Sequence, residues 1–208
     1  LDLAQPHGLC LDADGRLLVT TLGGHQVIRV DPDGLAAPLA GVGTPGQSGD
    51  AGPAQLAQLR RPHAVITTVV GPHTTEIVYV ADTDNRLLRA IHADGTITTV
   101  AGMVYGASPE EDAPARIADI GRPHALAVTA AGGLLLADPD SSRVRELTSD
   151  ARVRTFTVAP AGPARPVGLT TTSDGTILVA DPARHLLHRF PPPAPPARWS
   201  PRAHLGIE

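Results

Sequence analysis

The sequence predicts an all-β fold, a β-propeller with four visible four-stranded blades, on three observations. A unit recurs along nearly the whole chain. Each copy splits into short apolar runs of strand length. The runs are separated by turn-forming residues and not by helix-length stretches. The proline that opens each copy falls at positions 6, 62, 123 and 166, a spacing of about 40 to 60 residues that suits one blade per copy, with extra loop in the longer steps.

The copy at residues 61–102 is the most complete. It opens with Arg61-Pro62-His63, runs through an apolar strand and reaches a second strand ending Val80-Ala81-Asp82. Thr83-Asp84-Asn85 turns the chain into a third strand at residues 87–91, and Asp94-Gly95 turns it into a fourth at 96–100. Gly and Asn supply positive φ in such turns, and Asp and Pro initiate them. The first copy, residues 5–40, places strands at 7–11, 17–22, 27–31 and 36–40, with hairpin turns at Asp14-Gly15 and Asp33-Gly34. The third copy covers 122–158. Its outer-edge arginines Arg143, Arg145, Arg152 and Arg154 read as a solvated guard against edge-to-edge pairing. The fourth copy, 165–190, has strands at 167–171, 177–180 and 186–190 and shows no fourth strand. Residues 1–190 thus form the propeller, and 191–208 form a Pro-rich tail that cannot join a ladder where it lacks donors. Residues 1–4 or 199–204 are the available sources of the missing strand.

Two insertions, 41–60 and 103–121, follow the first and second copies. In the first, Asp50 is placed to cap a short helix starting near Pro53, with Leu56 and Leu59 on its inner face. In the second, Ile117 and Ile120 stand at the matching positions. Both helices are expected to pack over the gap between blades. The Gly-rich start of the first is no phosphate cradle, since no Lys-Ser/Thr follows the glycines and no βαβ pattern surrounds them.

Composition excludes several function classes. All 17 basic residues are Arg, set against 21 acids for a net charge of −4, which disfavours nonspecific nucleic-acid binding. The aromatics are Tyr79, Tyr105, Phe156, Phe190 and Trp199, too few for stacking platforms. No apolar run is long enough to span a membrane and no signal pattern opens the chain, so the reading leans to a cytoplasmic location. Cys10, the single cysteine, has no disulfide partner and reads as a small buried hydrophobe.

The copies resemble the NHL-repeat family of β-propellers. The resemblance rests on Arg61-Pro62-His63, on Tyr79-Val80-Ala81-Asp82-Thr83-Asp84-Asn85-Arg86 and on the linker at residues 40–54. It implies the propeller fold. It leaves function open, since such propellers serve as binding modules, scaffolds and enzymes. Members often have six blades, so four imply a partial ring or one completed by association into a homo-oligomer.

In a propeller the first strand of each blade lines the central channel. His7, His63 and His124 each follow the opening Pro, and Val167 takes that place in the fourth copy. Three imidazoles at one height around an axis, with one position open, make a catalytic zinc arrangement. The first copy is also similar to the peptidyl-α-hydroxyglycine amidating lyases, through Pro6-His7-Gly8-Leu9, Asp12-Ala13-Asp14-Gly15, Val19-Thr20, His25-Gln26-Val27 and Asp31-Pro32. That resemblance implies that His7, His63 and His124 are metal ligands for a divalent transition metal, zinc first. The catalytic Tyr and Arg of those lyases find no matching position here. The alternative is that these histidines pack in the channel or bond a neighbouring backbone carbonyl.

Asp82, Asp138 and Asp181 also recur, each ending a second strand, with Leu22 in the first copy. A short acid there is expected to accept N–H bonds from the adjacent turn. His25, His73, His92, His185, His188 and His204 share no repeat position and read as surface residues. The sequence therefore points to a binding or scaffold module that presents one propeller face to a peptide or small ligand, without nucleic acid or membrane. The alternative is a metal-dependent lyase or hydrolase using His7, His63 and His124.

Overall fold

The protein's computed structural model describes residues 3–70, 75–129, 132–148, 150–156 and 165–192. His73, His204 and the 199–204 segment lie outside the described residues, as does most of the Pro-rich tail. The described strands form four antiparallel sheets in chain order, the blades of a β-propeller. By contacts the chain divides into two compact units, Leu1–Val100 and Ala101–Glu208.

In the first unit, β1 (Pro6–Leu11), β2 (Leu17–Thr21), β3 (Gln26–Val30) and β4 (Ala36–Ala40) make one sheet in sequential order. The second sheet is β5 (Ala64–Val70), β6 (Thr75–Asp82), β7 (Leu87–Ile91) and β8 (Ile97–Ala101). Period-2 alternation sends Leu18, Val27 and Ala40 of the first sheet against Val65, Val78, Val80 and Ile91 of the second. The Leu, Val and Ile side chains among these each stabilise by roughly 1.5–3 kcal/mol when fully buried. Cys10 packs against this core only half-buried.

In the second unit, β9 (Ala113–Pro114) precedes β10 (Ala125–Val128), β11 (Leu134–Asp138), β12 (Arg143–Leu147) and β13 (Arg152–Phe156). β9 joins the outer edge of that sheet by pairing with β13. The last sheet has β14 (Gly168–Thr171), β15 (Ile177–Asp181) and β16 (Leu186–Phe190), three strands among the described residues. Its Leu169, Ile177, Val179 and Phe190 meet Ala127, Leu135, Ala137 and Val144. Phe156 and Phe190 stand edge to face, with ring centroids 5.8 Å apart.

The insertions depart from expectation in shape and in docking. Each holds a single 3₁₀ turn, Ala54–Leu56 or Ala115–Ile117, and neither has a side-chain cap. At three residues per turn, positions 54 and 57 come inward together. Ala54 and Ala57 are therefore buried, as are their counterparts Ala115 and Ala118. Leu56 is 69% exposed and Ile117 42%, which corrects their expected burial, whereas Leu59 (0%) and Ile120 (1%) are core. Each insertion is stitched to the edge of the sheet that follows it. The Ala51 amide donates to the Ile97 carbonyl at 2.8 Å, and Asp112 donates to Val153 at 3.0 Å. The insertions thus cover outer edges that bare strands would leave open to pairing.

That docking corrects two further expectations. Asp50 does not cap a helix; it accepts from Arg89 at 2.8 Å and from Thr99 at 3.1 Å. Arg145 is no solvated guard. It is buried, donating to Glu111 at 3.0 Å and to the Asp119 carbonyl at 3.1 Å. Arg152 and Arg154 do stay half-exposed, but both pair with Asp112 of the insertion, at 3.0 and 2.5 Å.

Candidate functional site

The opening prolines bring their followers to one register in the second, third and fourth sheets. The amides of His63, His124 and Val167 donate to Ala81, Ala137 and Ala180 at 3.1, 2.8 and 3.1 Å. Each extends its first-strand ladder by one bond ahead of the strand proper. His7 lies within β1, where a bulge between Pro6 and Leu9 shifts the register.

Within the first unit, His7 and His63 come together edge to face, with ring centroids 4.7 Å apart at 69°. His7 Nδ1 donates to the His63 carbonyl at 3.0 Å, and His63 Nδ1 donates to the Arg61 carbonyl at 2.9 Å. A carbonyl oxygen only accepts, so both neutral rings carry their proton on Nδ1 and their lone pair on Nε2. The His63 carbonyl also receives the buried Thr20 hydroxyl at 3.1 Å. Glycine at position 8 permits this approach, since a Cβ there would stand 2.4 Å from the His63 oxygen. His63 is buried and His7 exposed, so the pair has one anchored and one accessible imidazole.

His25 belongs to the same end of the unit. It has a left-handed backbone (φ 54°) and accepts the Arg61 amide on Nδ1 at 3.1 Å. Burial, followed by the nearby Arg61 and Arg60 charges, lowers its pKa below the ordinary histidine value. It is therefore a neutral hydrogen-bonding group of this end and not a bare surface residue. His188 is likewise engaged, 3.1 Å from Asp181. His124 lies in the second unit, so the three-histidine set is not gathered within either unit, and among the described residues neither unit holds three or more potential metal-ligating side chains together. What the first unit supplies is a pair of oriented imidazole bases, able to hydrogen-bond a polar ligand, pass a proton or offer two nitrogen ligands.

The recurrent aspartates act as expected for strand ends, with wider reach. Asp82 accepts the Arg60 amide at 2.7 Å and Asn85 at 2.8 Å. Asp138 accepts the Asp140 amide at 3.1 Å and the Ser141 hydroxyl. Asp181 accepts the Arg165 amide at 3.1 Å. Asp82 and Asp181 thus tie the strand end back to the segment that leads into their own first strand. In the first sheet the pairing Thr21↔Gln26 matches Asp82↔Leu87, so Thr21, and not Leu22, occupies the equivalent place. Arg89 and Arg145, with their partners Asp50 and Glu111, are polar anchors, a role that replaces the cap expected of Asp50 and the solvated guard expected of Arg145. Their signal was present: an acid three residues before Pro-Ala in each insertion, and an Arg at the third strand's centre.

No protein-family model matches the chain, and no curated protein matches it. Solved structures do. A streptogramin B lyase aligns over 95% of this chain and 58% of its own, at 15% identity and TM-score 0.63. A gluconolactonase from Xanthomonas campestris aligns over 91% of this chain and 63% of its own, at 18% identity and TM-score 0.57. An auxiliary nutrient binding protein from Bacteroides ovatus aligns over 88% and 47%, at 14% identity and TM-score 0.62. The chain spans less than two thirds of each of these proteins, and at such identities the likeness is one of fold: this chain has a β-propeller fold.

Proposed function

We propose that the protein is a ligand-binding propeller of the NHL type, which takes a peptide or small polar molecule at its Pro-His end. The observation that carries this reading is the His7–His63 pair, two imidazoles 4.7 Å apart whose Nδ1 protons are both committed to backbone carbonyls. Preorganised polar groups of known tautomer on a rigid sheet are what orient a ligand without further ordering cost. Proteins of similar fold include one named for nutrient binding. The test is titration of full-length protein with a set of short peptides while following the ring resonances of His7 and His63. Saturable shifts that vanish in His63→Ala support the reading; ring resonances that no peptide moves refute it.

A second reading has its own support. It is a metal-dependent lyase or hydrolase holding zinc through His7, His63 and His124, with activity of the amidating-lyase kind. An Nδ1–H bonded to a carbonyl is the arrangement found behind metal-ligating histidines, because it directs Nε2 at the metal. Two of the three residues have it. Bound there, zinc would supply Lewis acidity at a substrate oxygen. Elemental analysis of protein purified without chelators tests this. Stoichiometric zinc, lost in His63→Ala, kept in His92→Ala, and released as pH falls through about 6.5, is the expected result. Metal-free protein that takes up none would leave binding as the only role of the pair.

A further inference from the structure

At the other end of the first unit, away from His7 and His63, a cleft of about 290 Å³ opens between the first two sheets. Its floor is the apolar face of the core: Leu18 and Val78, which are buried, with Ile91 beside them. Its rim is charged. Three of the rim groups are already engaged. Arg16 Nε pairs with Asp12 at 2.6 Å, and Glu76 accepts the Ala13 amide at 2.8 Å.

Arg29 differs. It pairs across the ladder with Leu18, so its side chain rises from the same face that forms the floor. Its ion-pair partner Asp31 stands 4.0 Å from Nε, too far for a hydrogen bond. The equivalent position in the second sheet, which pairs with Tyr79, is Ala90, and it is fully buried. The third and fourth sheets carry Glu146 and Arg189 at this register, so packing alone does not fix the residue here. Arg29 places a planar cationic fork beside an apolar pocket, the geometry that receives a carboxylate in two parallel bonds.

We infer that this cleft is a second binding site, for a short aliphatic or branched-chain carboxylate, with Arg29 holding the carboxylate and Leu18, Val78 and Ile91 receiving the hydrocarbon. The ligand's charge meets Arg29, and its apolar body fills the cleft above Leu18, Val78 and Ile91. His92, across the rim, is held by Thr98 at 2.9 Å and is not required for binding.

The experiment uses full-length protein with methyl-labelled Leu, Val and Ile, titrated with isocaproate and with its neutral amide, isocaproamide. Isocaproate should shift the Leu18, Val78 and Ile91 methyls saturably, and the amide should bind about tenfold more weakly or worse. Arg29→Gln, at a half-exposed position, should erase the preference for the acid. Ala93→Trp, on the exposed turn at the mouth, should block both compounds. Isocaproate should leave the ring resonances of His7 and His63 unmoved, which separates this site from the histidine end. Absence of saturable shifts at these methyls, equal binding of acid and amide, or an acid preference that survives Arg29→Gln would each overturn the assignment.

Discussion

Arg89 and Arg145 stand at the same place in the second and third sheets, and each clamps the insertion that covers its sheet's edge. Their surroundings differ. Arg145 Nη1 meets Glu111, an acid 55% exposed, at 3.0 Å, and the Thr155 hydroxyl at 3.1 Å. The Thr155 hydroxyl first, and then the Thr155 amide and the Arg145 charge, hold Glu111 below the usual carboxylate range. Arg89 Nη2 meets Asp50 at 2.8 Å, but its Nη1 also lies 3.6 Å from Asp82, and both of those side chains are wholly buried. Burial pushes the Asp82 carboxyl up to about 6, against the opposing pull of Asn85, the Arg60 amide and Arg89. The comparison teaches that one repeat position carries one mechanical task with two electrostatic costs. A clamp on a half-exposed acid is inexpensive, whereas a clamp that shares its cation with a buried acid leaves that acid dependent on it.

Removing each arginine should separate the two clamps most widely. Arg89→Met should cost about 3–5 kcal/mol at alkaline pH, because Asp82 is left as an uncompensated buried charge. Arg145→Met should cost about 1–3 kcal/mol, the loss of hydrogen bonds to partners that water partly reaches. Urea midpoints of the two variants compare them directly, and equal losses would erase the distinction.

The pH dependence sharpens the same point. Asp82 holds its proton more tightly folded, at about 6, than at its ordinary value of 3.8. Its contribution to stability is therefore fully present below the ordinary value and lost as pH rises through about 6. Stability of the wild type should fall across that window relative to Asp82→Asn, and in Arg89→Met the fall should extend to higher pH. A wild type and Asp82→Asn with parallel profiles would contradict the buried-acid account.

Packing tests whether the two insertions are equivalent. Leu59→Ala and Ile120→Ala should each cost about 2–4 kcal/mol by cavity formation. Thermal or urea unfolding of both variants checks this, and a cost near zero in either would mean that its insertion is not docked. Gly121→Ala comes next. Its φ of +67° and the Asp138 oxygen, 1.6 Å from where a Cβ would sit, leave no room, so about 1 kcal/mol or more should be lost. At the position in the second sheet's approach where Arg60 donates to Asp82, a side chain is tolerated, so Arg60→Ala should be milder. Smallest of all, Leu56→Ala and Ile117→Ala should fall within about 0.5 kcal/mol, as exposed positions do.

The blade strands are written locally in the sequence, whereas β9, inside the second insertion, is not. The ranges Ala36–Ala40, Leu87–Ile91 and Leu186–Phe190 were legible residue for residue, because period-2 alternation and Asp-Gly or Asn turns are local signals. The equivalence of His63 and His124 was legible for the same reason, since a proline marks the start of each copy; at His7 a bulge shifts the register. Only tertiary structure decided the rest. Whether Leu56 or Ala57 faces inward depends on a 3₁₀ turn set by where the insertion docks, and Arg145 is buried by Glu111, 34 residues earlier in the chain. Thr21 displaced Leu22 because strand pairing, and not spacing from a motif, sets register. His7 meets the carbonyl of His63 across 56 residues of chain, and that approach needs the missing side chain of Gly8. Local periodicity writes strands and turns into the sequence. Which polar groups share a buried space is decided by packing between distant segments, where desolvation makes each partner's presence matter.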